Sequence, residues 1–167
     1  MGAGLTRAWQ ATVELCTTYG AGSGCVVSPS GHIITNYHVI ADENDAPVAS
    51  IDVGFTLSPE RPSQVLFKAR VVDTDPARDL ALLQIDRGAQ DQDLPQGFRF
   101  PWLEILRSGS PGIGDTLHVM GYPGIGSLGS RTTITYTRGV VAGFLLMDFG
   151  LVIKSDAELN SGGSGGA

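Results

Sequence analysis

Little in this chain of 167 residues invites a charged partner, a membrane or a metal. Its two cysteines and three histidines are scattered, without the short fixed spacings that gather tetrahedral ligands, so no zinc signature exists. Basic residues are scarce as well: 11 Lys and Arg stand against 17 Asp and Glu, a net charge of −6. No Lys/Arg cluster can track phosphates, which argues against nucleic acid as a partner. No apolar run approaches the roughly 18 residues of a membrane-spanning helix. The opening Met1-Gly2-Ala3-Gly4 lacks the basic and apolar regions of a signal peptide, and cellular location is left open. No cofactor and no metal are expected, and amphipathic helix patterns are nearly missing.

What is present is a series of short apolar runs broken at close intervals by Gly, Pro, Asp and Ser, the pattern of an all-β protein. A chain this long can bury roughly two-thirds of its unfolded surface, so a real core is expected. Strands are read at residues 11–17, 24–28, 32–35, 50–57, 65–73, 81–86, 116–120, 132–137, 139–145 and 151–155. Pro29-Ser30-Gly31 is a tight turn, proline presetting φ and glycine free to take a positive one. The polar stretch 88–97, rich in Asp, Gln, Pro and Gly, is the natural link between two units. Cys16 and Cys25 flank a Gly-rich connection and read either as a cross-strand disulfide or as two buried reduced thiols.

Three segments carry chemistry. A serine alcohol is a poor nucleophile at neutral pH; it needs an imidazole to take its proton and a carboxylate to hold that imidazole in one tautomer. His38 closes Thr35-Asn36-Tyr37-His38, where a strand delivers the ring to a rim. Asp79 stands directly before Leu80-Ala81-Leu82-Leu83, which draws its carboxylate toward the interior, where it needs hydrogen-bond partners to stay ionised. Asp73, Asp75 and Asp86 compete for the role but lack that position. Ser164 sits in Ser161-Gly162-Gly163-Ser164-Gly165-Gly166. A flexible linker has the same composition, but Asp156-Ala157-Glu158-Leu159-Asn160 leads into this one. The glycines let backbone N–H groups turn inward as an oxyanion hole. His32 and His118 read as ordinary strand histidines.

The order His, Asp, Ser is that of trypsin-like proteases. The stretch Gly22-Ser23-Gly24-Cys25 through Thr35-Asn36-Tyr37-His38-Val39-Ile40 resembles the first-barrel signature of HtrA/Deg-type serine proteases. Asp75-Pro76-Ala77-Arg78-Asp79-Leu80-Ala81-Leu82-Leu83 is similar to their aspartate strand, and Ile153 through Gly166 to their nucleophile loop. Gly114-Asp115-Thr116-Leu117 and Gly121-Tyr122-Pro123 also match. The resemblance implies two antiparallel six-stranded β-barrels, the second lacking its last strands: residues 8–87 with His38 and Asp79, a linker over 88–101, and residues 102–167 with Ser164.

It further implies a serine endopeptidase acting on exposed or unfolded peptide segments through an acyl-enzyme, with the N–H groups of Gly162 and Ser164 as oxyanion donors. Glu158, Leu159 and Asn160 would border the primary specificity pocket; Glu158 either favours a basic residue before the scissile bond or faces solvent. Ser161 and Gly163 stand where family members commonly carry Pro and Asn, so the loop is less constrained and the oxyanion hole is expected to be unformed at rest. Gly163 also cannot pair with a newly cut N-terminus. A catalytically silent module that holds peptides by strand addition is the alternative. Because two further strands follow Ser-Gly-Gly in the family, either a longer natural protein or another chain covering the open barrel edge is expected.

Overall fold

A computed structural model describes residues 2–106, 109–122 and 133–157. Six strands close into a barrel: β1 (Thr12–Cys16), β2 (Ala21–Val26), β3 (His32–Thr35), β4 (Ile51–Phe55), β5 (Gln64–Asp75) and β6 (Leu80–Gly88), in the order β1-β2-β3-β6-β5-β4. All pairs are antiparallel. Alternation explains the closure, since successive side chains point to opposite faces. Val13 and Leu15 on β1, Ile33 on β3, Ile51 and Val53 on β4, and Ala81, Leu83 and Ile85 on β6 all turn inward and are buried. On β2 the inward positions are Gly22, Gly24 and the buried Val26. A Cβ on Gly24 would lie 2.6 Å from Ile33 Cγ2 and 2.9 Å from Leu15 Cδ1, so the missing side chain is what lets β2 approach. Phe100 plugs one end, packed on Phe55 and Phe67, and its N–H donates to the Pro29 carbonyl at 3.0 Å. The Pro29-Ser30-Gly31 turn forms as expected, with Gly31 at φ 91°.

After the barrel, β7 (Thr116–Gly121), β8 (Thr135–Met147) and β9 (Gly150–Ser155) form a three-stranded antiparallel sheet. The strands past β6 form this sheet, and a second closed barrel is not among the described residues. Two local expectations change. Residues 3–11, of which the last was read as strand, form helix α1 (Ala3–Ala11); Leu5, Ala8 and Trp9 recur at helical spacing and are half-buried. The break expected near Gly139 is absent, β8 running straight through it. A Cβ at Gly139 would meet the Ala157 nitrogen at 2.5 Å, so this glycine permits a close backbone approach rather than a turn.

The cysteines stand at opposite ends of the β1–β2 hairpin, Cys25 opposite Thr12 and Cys16 opposite Ala21. They are not joined by a disulfide, which matches the reduced-thiol reading. Burial pushes the Cys25 thiol from its ordinary 9.0 up to about 11.

Candidate active site

His38 lies on α2 (Tyr37–Ile40), a single turn that begins two residues beyond β3. The strand therefore delivers the chain to the rim, and the helical turn, rather than the strand itself, carries the ring outward while Tyr37, Val39 and Ile40 are buried. Asp79 follows a 3₁₀ turn, Pro76–Arg78, and adopts the left-handed conformation at φ 53° and ψ 47°. Aspartate tolerates that region better than most residues. β3 and β6 are barrel neighbours, Ile33 opposite Leu83, so the connections leaving them meet at one end.

There the histidine and the carboxylate join. Asp79 Oδ2 lies 2.7 Å from His38 Nδ1, and Oδ1 accepts the His38 backbone N–H at 2.9 Å. Contrary to the sequence expectation, this carboxylate is not drawn inside: its side chain is 45% exposed and that of His38 56%. The left-handed turn aims it along the rim, and the His38 backbone N–H and ring replace burial as the source of order. At such exposure a charge pair contributes at most about 1 kcal/mol. Geometry is fixed instead by the main chain. The Asp79 N–H donates to the Pro76 carbonyl at 3.1 Å, and the Asp79 carbonyl accepts from Tyr37 N–H at 3.1 Å and Asn36 Nδ2 at 2.9 Å.

The competing aspartates are occupied elsewhere. Asp75 accepts from Arg78 Nη1 at 2.6 Å, and that guanidinium holds its carboxyl below the usual range. Asp73 caps the Thr74 N–H and Asp86 faces Arg87 and Arg70. His32 spends Nδ1 on Ser28 and Ser30, and His118 on Tyr136. Ser164, Gly162, Glu158, Leu159 and Asn160 lie outside the described residues, as does the oxyanion loop that Ser161 and Gly163 belong to. No cluster of metal-ligating side chains occurs among the described residues.

Two contributors escaped the sequence reading. Asn36 stands two residues before His38 with no role apparent from spacing, yet its amide holds the Asp79 carbonyl. Arg78 Nε donates to the Phe149 carbonyl at 3.1 Å, tying the β8–β9 turn to the residue before Asp79. Nothing in local spacing announces either contact, because each joins segments far apart in sequence.

The arrangement provides a histidine whose Nδ1 is committed to a carboxylate and whose Nε2 is left to take and return a proton, beside an exposed rim. Comparison with known proteins agrees with that chemistry. The trypsin-like peptidase domain family matches residues 22–167. A protein of Rickettsia prowazekii named as a probable periplasmic serine endoprotease DegP-like is 33% identical over 87% of this chain and 25% of its own length. An Arabidopsis thaliana protein named Protease Do-like 1, chloroplastic, is 34% identical over 88% of this chain and 30% of its own. A putative Protease Do-like 3, mitochondrial, of the same plant is 31% identical over 97% of the chain and 25% of its own. The chain thus spans between 25% and 30% of the length of these relatives.

Proposed function

Because this chain belongs to the trypsin-like peptidase domain family, we propose that it is the proteolytic unit of an HtrA/Deg-type serine endopeptidase. Its substrates are exposed or unfolded peptide segments. The nucleophile in this reading is Ser164. Its Oγ attacks the scissile carbonyl carbon while His38 Nε2 takes the hydroxyl proton, and the N–H groups of Gly162 and Ser164 receive the charge that develops on the carbonyl oxygen. The imidazolium then gives its proton to the leaving amine as the C–N bond breaks. Water, deprotonated by the same nitrogen, releases the acid and restores Ser164. Asp79 stays ionised throughout, fixing the tautomer and steadying the imidazolium. Glu158, Leu159 and Asn160 border the substrate pocket, and the β7–β9 sheet is part of a second barrel spanning 102–167, joined by 88–101 to a first lobe of 8–87.

The observation that supports this best is the double engagement of Asp79 with one residue, 2.7 Å to His38 Nδ1 and 2.9 Å to its backbone nitrogen. A surface histidine without a role has no need of two contacts to one carboxylate. A fluorophosphonate probe, which reacts only with an activated serine, tests the reading. Labelling mapped to Ser164 by mass spectrometry, lost in His38→Ala, is the expected result. Peptide binding without labelling would identify a silent peptide-holding module instead.

A further inference from the structure

A second polar cluster, separate from the His38–Asp79 pair, lies where the outside of the barrel meets β7. Since Val13 and Leu15 fill the interior, alternation sends Thr12 and Glu14 outward, where water is expected. Both are buried, as are Ser23 on β2, Thr56 just past β4, and Ser63. Glu14 and Ser63 are hydrogen-bonded to each other. The cover is Tyr122, the residue that follows β7, itself 2% exposed.

Tyr122 is held at both ends. Its backbone N–H donates to Ser23 Oγ at 2.8 Å. Its phenol oxygen lies 2.6 Å from Thr56 Oγ1 and 3.4 Å from the Thr12 carbonyl oxygen. Ser23 in turn accepts the Thr35 hydroxyl on its carbonyl at 2.7 Å, and Thr35 is the last residue of β3, three before His38. One serine therefore touches both the strand that delivers the histidine and the end of β7 in the second sheet. β7 pairs with β8 and β8 with β9, from which the chain continues to Ser164. Buried hydroxyls need these partners, since an unpaired one costs more than the bond itself contributes.

We propose that Tyr122, anchored through its backbone N–H on Ser23 and through its hydroxyl on Thr56, is a positioning joint that sets the second sheet, and with it Ser164, against His38. Tyr122 and Ser23 are positioning residues for acyl transfer, an inference that rests on Ser164 being the nucleophile. Neither touches substrate. A plain apolar filler would do as well with a phenylalanine ring, which occupies the same space without the hydroxyl, so Tyr122→Phe separates joint from filler.

The test compares wild type, Tyr122→Phe and Ser23→Ala by peptide cleavage, fluorophosphonate labelling and amide hydrogen exchange. Misplacement of reacting groups lowers rate more than binding, so kcat and the labelling rate should fall about 10- to 100-fold with KM within twofold. Exchange should quicken across β7–β9 while β3–β6 stay protected. Should Tyr122→Phe fail to fold, Ser23→Ala, which keeps the ring, carries the same readings. Wild-type rates in a folded variant overturn the joint, and so does exchange that rises equally in β1–β6. If wild type itself is not labelled at Ser164, the proposed function falls and exchange alone decides: selective loosening of β7–β9 keeps the joint, and unchanged protection removes it.

Discussion

In the barrel, Val13, Leu15, Ile33, Ile51, Val53 and Leu83 are all at 0% exposure, whereas on β8 and β9 Leu145, Leu146, Leu151 and Ile153 stand 45–78% exposed. The barrel satisfies its backbone by closure and its apolar residues by a shared interior. Among the described residues, the sheet has Met120, Tyr122, Val141 and Ala157 as its buried side chains. The two regions differ in where their order comes from. His38 and Asp79 stand on connections of a self-sufficient core, so their spacing is inherited from the pairing of β3 with β6. The sheet is held to the barrel through named polar contacts, Tyr122 to Ser23 and Thr56, and Arg78 to Phe149. Chemistry that needs both regions then has one rigid partner and one docked partner.

The two regions are separated most strongly by removing one chemical group from each. His38→Ala in the barrel and Ser164→Ala beyond the sheet should each lower kcat/KM for a peptide by about 10⁴- to 10⁶-fold, and the double variant should be no worse, because such groups act as a unit. Circular dichroism should show both variants folded. Wild-type cleavage by either would remove that residue from the mechanism. Next in size is Asp79→Asn, which keeps the shape but presents an amide to two N–H groups of His38. A loss of about 10⁴-fold in kcat is expected from the wrong imidazole tautomer, and a loss under tenfold would mean that the main chain alone orients the ring.

How much of this was legible follows from the same division. Strand alternation is local, so β3, β6 and the turn at Gly31 could be read from the sequence, and Asp79 stood out by its place before an apolar run. Its exposure was misjudged because the left-handed turn after Pro76–Arg78 depends on contacts to Asn36 and Tyr37, more than 35 residues away. The α1 helix was missed since Leu5, Ala8 and Trp9 make too short a pattern to declare itself without the barrel behind it. Gly139 looked like a break, and its reason is Ala157, which no local window contains. The joint at Tyr122 was invisible for a similar cause: Ser23 and Thr56 are polar residues whose burial arises from a tyrosine about 65 or more positions away. Ser164 and Gly162, outside the described residues, rest on sequence alone.

Stability offers a smaller but sharper contrast. Leu83→Ala empties space in a closed core and should cost about 2–5 kcal/mol in urea unfolding. Leu146→Ala, at a side chain 78% exposed, should stay within about 0.5 kcal/mol. Equal costs would mean that the sheet buries Leu146 in solution, and the two regions would then differ less than their exposures indicate.

Alkaline titration reaches both regions in one experiment. Burial pushes the Cys25 thiol in the barrel up to about 11 and the Tyr122 phenol at the joint up to about 12. Each group is neutral when protonated, and the unfolded chain releases these protons earlier, near 9 for the thiol and about 10 for the phenol. The folded state therefore binds more protons between the two values, and stability must fall as pH rises through that window. Below about pH 8 both contributions are fully present; the thiol contribution is lost by about pH 11 and the phenol contribution by about pH 12. Two units correspond to on the order of 2–3 kcal/mol for each group. Denaturant midpoints measured from pH 8 to 12 should decline in two overlapping stages, with Cys25→Ala removing the earlier and Tyr122→Phe the later. If the sheet can leave the barrel without unfolding it, the later stage should appear first as faster amide exchange in β7–β9 while β1–β6 remain protected. A midpoint flat to pH 12 would mean that water reaches both groups, and the joint would lose the burial on which its hydrogen bonds depend.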